Sequence, residues 1–256
     1  TMYGGSITKN TAKKDSQNNG GNGGGVYVNS GTFDMNGNAS VSDNTATKNG
    51  GGVYVGGGTF TMNDTASVKD NTASDNTADQ GNGGGVYVYS GTFEMNGSAS
   101  VSSNKATNSK SENTTYGGGV YVNDGTFTMN GNASVSGNKA TNGGGVYASV
   151  VGKFNMNGNA SITGNTANGV FVNGGTFTVS GEPTVTGNTG KSGREDDVSN
   201  VYLAGGDTIT IGGKLDAGAS IGVTKGAGGV NSVIATGAKE DYSGKFFVDD
   251  NKYKVG

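Results

Sequence analysis

The stretch Gly23–Val28 reads GGGVYV; the same six residues start at Gly50, Gly83 and Gly117, and GGGVYA starts at Gly143. A glycine run of this kind can cradle phosphate, but a phosphate loop leads into a helix. Here each run leads into Val-Tyr-Val, where two valines point one way and the tyrosine the other. That alternation belongs to a short strand. The glycines therefore read as architecture: a tight corner with positive φ, where close approach of neighbouring backbone excludes a Cβ.

Outward from the motif, the whole chain falls into columns. Val26, Val53, Val86, Val120, Val146, Val170 and Val201 lead successive repeats. Downstream stand GTFDM, GTFTM, GTFEM, GTFTM, GKFNM and GTFTV, then NASVSDN, TASVKDN, SASVSSN, NASVSGN, NASITGN and EPTVTGN. Phe33, Phe60, Phe93, Phe127, Phe154 and Phe177 share one column; Met35, Met62, Met95, Met129 and Met156 share another, which Met2 joins from a repeat cut at its start. Each repeat holds three runs of three to five residues with period-two alternation, separated by Gly and Asn, which predicts strand–turn–strand–turn–strand.

The spacing fixes the architecture. Val26 to Asn44, Val53 to Asn71, Val86 to Asn104 and Val120 to Asn138 are each 18 positions, and the Val146 repeat adds one residue. The return from Asn to the next Val varies from 5 to 16 positions. One constant part and one variable part per repeat predict a solenoid whose insertions emerge along a single side. The expected fold is all-β: a right-handed parallel β-helix of three short strands per coil and about seven to nine coils. Residues 1–204 form the repeat array, with a truncated first coil at 1–25, and residues 205–256 form irregular final coils that cap it. Asn44, Asn71, Asn104, Asn138, Asn165 and Asn188, with Asn10 before them, are expected to turn inward as a self-satisfying amide column. Ala12, Ala46, Ala73, Ala106, Ala140 and Ala167, two positions on, fit a tight corner.

Composition agrees and excludes. Of 256 residues, 52 are Gly and only one is Pro; apolar residues are 31%, too few for one thick core, and the net charge of −3 is low for disorder. With no Cys and no His, there are no disulfides or thiolate metal sites, and the usual general base is missing. No metal or cofactor is implied. The acidic balance and the single Arg194 argue against nucleic acid. No apolar run reaches the ~20 residues of a membrane span, so this segment is not expected to insert in a membrane. The pattern enters in mid-repeat, which suggests a monomeric piece of a larger protein.

The segments SGNKATNGGGVYA and SDNTATKNGGGVYV resemble the alternating repeats of bacterial polymorphic outer-membrane proteins and related adhesin-like proteins, within the pectin-lyase-like β-helix group. The likeness spans about residues 1–204, and NVYLAGGDTITIGGKLDAGASIGVT resembles the final coils after such arrays. It implies display on the bacterial cell surface, outside the cell, and adhesion to a host or environmental glycan or to a host surface protein.

Catalytic constellations are sparse. Asp34 and Glu94 share an outward column two coils apart, roughly 9–10 Å, with Thr61 between them, the edge of the range an inverting glycosidase needs. A lyase would need a base beside a carboxylate cluster, for which Arg194 with Glu195, Asp196 and Asp197 is the candidate. GASIG (Gly218–Gly222) has the nucleophile-elbow pattern, but no His can activate Ser220. GNTGKS (Gly187–Ser192) falls short of P-loop spacing. Outward Thr59/Thr61, Thr126/Thr128 and Thr176/Thr178 suggest an ice-binding array, interrupted by Asp34, Glu94, Lys153 and Asn155. The remaining feature is an outward aromatic strip: Tyr27, Tyr54, Tyr87, Tyr121, Tyr147, Phe171 and Tyr202. It reads either as a stabilising ladder or as a platform for sugar rings or a protein. The variable loops, such as TASDNTADQGNG and KATNSKSENTTYG, are the other place for specificity. The resulting expectation is a non-enzymatic adhesin or stalk module, with a polysaccharide lyase or hydrolase as the alternative and ice binding behind it.

Overall fold

The computed structural model describes residues 1–75, 81–110, 114–190, 197–226 and 233–249. Three strands per repeat stack coil on coil into parallel sheets around one axial core, giving the parallel β-helix. The tyrosine sheet holds the strands Val26–Val28, Val53–Val55, Val86–Val88, Val120–Val122, Val146–Ala148, Val170–Val172 and Val201–Leu203. The phenylalanine sheet is eight-stranded and runs from Thr32–Met35 to Ala235–Thr236. The serine sheet runs from Ser6–Thr8 to Ser220–Lys225. Pairing sets each residue opposite its counterpart: Phe93 meets Phe60 and Phe127, and Met95 meets Met62 and Met129.

That register builds the core as ladders. Phe60, Phe93, Phe127, Phe154 and Phe177 are fully buried, as are Met35, Met62, Met95, Met129 and Met156. Consecutive Phe rings stack at 4.8–5.7 Å, Phe33 being the half-buried first member. Inward Val and Ala of the other two sheets complete a dry interior.

The three glycines of each corner serve three purposes, seen at Gly83–Gly85. Gly83 has φ +63, which an L side chain resists. A Cβ on Gly84 would collide with the carbonyl oxygen of Gly118 in the next coil. A Cβ on Gly85 would stand 2.9 Å from the Asn104 amide nitrogen. The third glycine thus makes room for the asparagine column.

That column is satisfied rung by rung. Asn104 Oδ1 accepts from the backbone N–H and the Nδ2–H of Asn71, both at 3.0 Å. Its own Nδ2–H groups donate to Asn138 Oδ1 and to the Val68 carbonyl, both at 3.0 Å. Asn44, Asn71, Asn138, Asn165 and Asn188 repeat the arrangement, all of them buried. A second column, not anticipated from the sequence, follows the methionines: Asn63, Asn96, Asn130 and Asn157 each donate Nδ2–H back to the Oδ1 of the preceding rung, starting at Asn36. The two columns donate in opposite directions along the axis.

Two features go beyond the three-strand repeat. The corner expected at the alanines is itself paired: Thr11–Ala12, Thr45–Ala46, Thr72–Asp75 and Lys105–Asn108 form a fourth parallel ladder. Thr and Ala in extended conformation fit there because the chain has not yet reached the Gly corner. The second feature is the closure. Ser220–Lys225 runs straight through, pairing with Thr184–Thr186 by its first half and with Val201–Leu203 by its second. No glycine corner separates the two faces there, so the serine and tyrosine sheets join. Phe246–Val248 pairs on top of that strand, and Phe246 closes the core. Asn200, at the third-glycine position, becomes the next rung of the amide column, accepting from the N–H and Nδ2–H of Asn188. Its own two donors end on the Asp249 carboxylate.

Candidate functional site

Apart from the one residue added in the turn before Lys153–Met156, the segments of variable length lie between the asparagine column and the glycine corner, and the tyrosine strands follow immediately. Loops and aromatic strip therefore share one flank. Along it the register pairs Tyr27 with Tyr54, Tyr54 with Tyr87, Tyr87 with Tyr121, Tyr121 with Tyr147, Tyr147 with Phe171 and Phe171 with Tyr202. The rings stack at 4.6–5.3 Å, nearly parallel.

The strip faces away from the core, as expected, yet most of it is not open. Tyr54, Tyr87 and Tyr147 are buried, while Tyr27 is 53% exposed. Each ring covers its neighbours, and two tyrosines outside the column cover it from the side. Tyr89 lies almost parallel to Tyr54, at 6.4 Å, and Tyr116 packs on Tyr121 and Tyr147 at 6.2 and 4.7 Å. Sequence columns miss both: Tyr89 occupies a turn position that is Asn, Gly, Ser or Ala in the other repeats, and Tyr116 belongs to a variable loop. Burial has an electrostatic result. Loss of solvent pushes the Tyr54 phenol up to about 12, with Tyr27 and Tyr89 adding to the effect. The Tyr147 phenol is likewise pushed up to about 12, chiefly by burial and against the Asn173 side chain, whose Nδ2–H donates to its oxygen at 2.9 Å. Tyr87, between two covered neighbours, is raised for the same cause.

Elsewhere the candidates separate. Asp34 and Glu94 do flank Thr61 in one outward column, continued by Thr128, Asn155 and Thr178. They stand on a sheet face; Asp34 accepts from the Thr1 hydroxyl at 3.2 Å, and Asn155 donates to Thr128 at 3.3 Å. Thr59/Thr61, Thr126/Thr128 and Thr176/Thr178 lie on this same face. The serine sheet carries a second hydroxyl array, with Ser100, Ser134 and Ser161 in one column and Ser102, Ser136 and Thr163 in the next, broken by Lys69. Arg194, Glu195 and Asp196 lie outside the described residues, as do Lys191 and Ser192 of GNTGKS; Asp197 is half-buried. Ser220 is an ordinary strand residue of the closure, and the glycine run Gly23–Gly25 leads into the strand Val26–Val28.

A cleft on the loop flank, of about 470 Å³, is lined by Lys14, Thr47, Ser74 and Asp75 among others. Asp75 is buried, and the Lys14 ammonium meets its two oxygens at 2.9 and 3.1 Å, tying loops two coils apart. The charge is neutralised within the pair, so this feature braces the loops. Among the described residues no group of three His, Cys, Asp or Glu is placed to hold a metal ion, and no helix is long and apolar enough to cross a membrane.

Comparison with family models, with curated proteins and with solved structures finds no match to this chain.

Proposed function

We propose that this chain is a non-enzymatic display and binding module of the adhesin or stalk type, working on a bacterial cell surface and engaging a glycan or a protein. One observation carries the reading: nearly all the variation in loop length from coil to coil, together with the whole outward aromatic strip, is gathered on one flank of the rod. A rigid scaffold with its variation on one side is how repeat proteins present a binding surface. The resemblance of the Gly-Gly-Gly-Val-Tyr and Asn-x-Ala segments to adhesin-like repeats supports the same reading, as does an outward face built of Thr, Ser and Asn around the two separated carboxylates.

The test is a binding screen of the chain against glycans and host surface proteins, run beside a cleavage assay on pectins, alginates and glycosaminoglycans. Binding without cleavage is the expected outcome. Polysaccharide cleavage that disappears in Asp34→Asn or Glu94→Gln would replace this function with a hydrolase. A blank screen combined with thermal hysteresis would move it to ice binding.

A further inference from the structure

We infer that two copies of this chain pair side by side and antiparallel along one edge of the rod, the corner at the asparagine column, in place of the monomer expected from the sequence.

Two outward columns form this edge, one from the residue before each column asparagine and one from the residue after it. Counting coils by their asparagines, from Asn10 in coil one to Asn188 in coil seven, the first column carries Asp43 and Asp70 in coils two and three. Beyond them it holds only Ser103 and glycines, on a backbone of positive φ throughout. The second column is threonine in every coil except four and five, which hold Lys105 and Lys139. Two negative charges are thus followed by two positive ones over four successive coils. All four side chains are exposed, and none has an ion-pair partner among the described residues.

Within one chain this arrangement is unfavourable. Lys105 and Lys139 are bridged in register, and Asp43 donates its N–H to the residue before Asp70, so like charges stand one coil apart, about 4.8 Å. No Asp or Glu lies between Gly125 and Gly181 to offset the lysines. A second copy supplies both missing signs. An acidic glycan would satisfy the lysines only, and Asp43 and Asp70 on the same edge would repel it.

Symmetry sets the geometry. A two-fold axis across the rod, between coils three and four, turns the second copy end for end. Asp43 then faces Lys139, and Asp70 faces Lys105, each twice, which makes the contact isologous and closed. The lysines stand two positions further along the chain than the aspartates, an offset that their four-carbon stems span. A parallel pairing would set every charge against itself. The serine sheet beside the edge permits the approach: the residues flanking its inward valines in coils two to five are all serine except Lys69, which faces Ser102 of the second copy. Hydroxyls both donate and accept, so this face has no sign to clash. Lys9, in coil one, faces the neutral Gly164 and Thr166 of coil six. Complementary charge of this kind fixes register and orientation more than affinity, and exposed pairs are individually weak, so the dimer forms reversibly at high concentration.

Sedimentation equilibrium of the full chain, from micromolar to millimolar concentration, should show a monomer–dimer equilibrium that weakens tenfold or more from low to high salt. The double variants Lys105→Glu/Lys139→Glu and Asp43→Lys/Asp70→Lys, each of one sign along the edge, should lose self-association by tenfold or more. Their equimolar mixture should form a heterodimer, and the chain with all four charges reversed should dimerise within about threefold of the parent. Lysine suits the aspartate positions, since Lys9 holds the same backbone at φ +58; each variant is first matched to the parent by circular dichroism and melting temperature. The chain has no native Cys, so a spin label at Lys9→Cys reports orientation, and two labels in one dimer should lie roughly 25 Å apart, five coils along the axis. Self-association that survives the charge reversals, a mixture that stays monomeric, labels side by side, or a parent that is monomeric throughout would each overturn the pairing. Heparin binding by a monomeric chain, abolished by Lys105→Glu/Lys139→Glu, would overturn it too and give the lysines to an anionic glycan.

Discussion

The phenylalanine and tyrosine columns are the same object in two settings. Both are parallel ring stacks with one ring per coil, at nearly the same separation, on neighbouring sheets. The phenylalanines face inward and are uniformly buried after the first member. The outward rings after the first member differ: Tyr54, Tyr87 and Tyr147 are buried while Tyr121, Phe171 and Tyr202 are half-buried, according to what the local turn and loop lay over them. Repetition alone therefore fixes the spacing of a ladder, while cover fixes its exposure. Inside the rod the cover is constant; outside it differs coil by coil, and function can differ with it.

Alkaline titration separates the columns most strongly, since it acts on several tyrosines together and on no phenylalanine. The folded phenols of Tyr54 and Tyr147 lie at about 12 and that of Tyr87 is also raised, against about 10 for an unfolded tyrosine. A folded-state value raised above the unfolded one contributes stability that is whole below pH 10 and is lost as pH climbs toward 12. Solvent that still reaches these phenols screens part of the effect, which leaves on the order of 1–2 kcal/mol per tyrosine. Circular dichroism followed with tyrosinate absorbance should show the rod unfolding in that window, with ionisation of the buried rings and loss of strand signal coinciding. Ionisation at pH 10 with the fold intact would show that the cover is loose.

Single substitutions come next. Phe127→Ala empties a fully enclosed position and should cost about 3–5 kcal/mol in chemical denaturation, whereas Tyr121→Ala, at a half-buried ring, should cost about 1–2 kcal/mol. Equal costs would mean that the outer ladder is as much a core as the inner one. Asn104→Ala should cost about 3 kcal/mol or more, because it orphans the N–H and Nδ2–H of Asn71 and the carbonyl of Val68 in a dry interior.

The smallest effects belong to the closure. Asp249 accepts from the Asn200 backbone and amide and from the Thr224 hydroxyl, and burial nonetheless raises its carboxyl above the ordinary range. Its contribution is thus whole at low pH and falls as pH rises through the folded-state value. Asp249→Asn continues the amide column with a neutral rung and should match or slightly exceed the parent in melting temperature at pH 7. Asp249→Ala should lose about 1–2 kcal/mol by leaving the Asn200 donors unmet. If both variants melt alike, Asp249 does not end the column.

What the sequence made legible was whatever repeats. The Phe, Met, Val and Asn columns are visible as letters because each rung solves the same packing problem as the one below. The glycine corner was legible as architecture, though not its division of labour, since the third glycine answers to an asparagine 19 residues after it, as Gly85 does to Asn104. The Asn36–Asn157 column stood in plain letters after the methionines. Its role needed the side-chain directions. The cover of the tyrosines was not legible, because Tyr116 and Tyr89 recur in no column and their contacts depend on loop geometry. Nor was the closure, in which Asn200 and Asp249, 49 residues apart, meet at the end of one ladder.

The opposed directions of the two asparagine columns bear on how such a rod can lengthen. Each stacked amide carries a dipole along the axis, and a single column would add them into a growing field between the ends, as the peptide groups of a helix do. The parallel sheets contribute little net dipole of their own. With one column donating toward the C-terminal end and the other toward the N-terminal end, each coil that carries both adds two amide dipoles that largely cancel. A coil can then be inserted or removed without charging the termini, leaving the length of the array free to be set by reach alone.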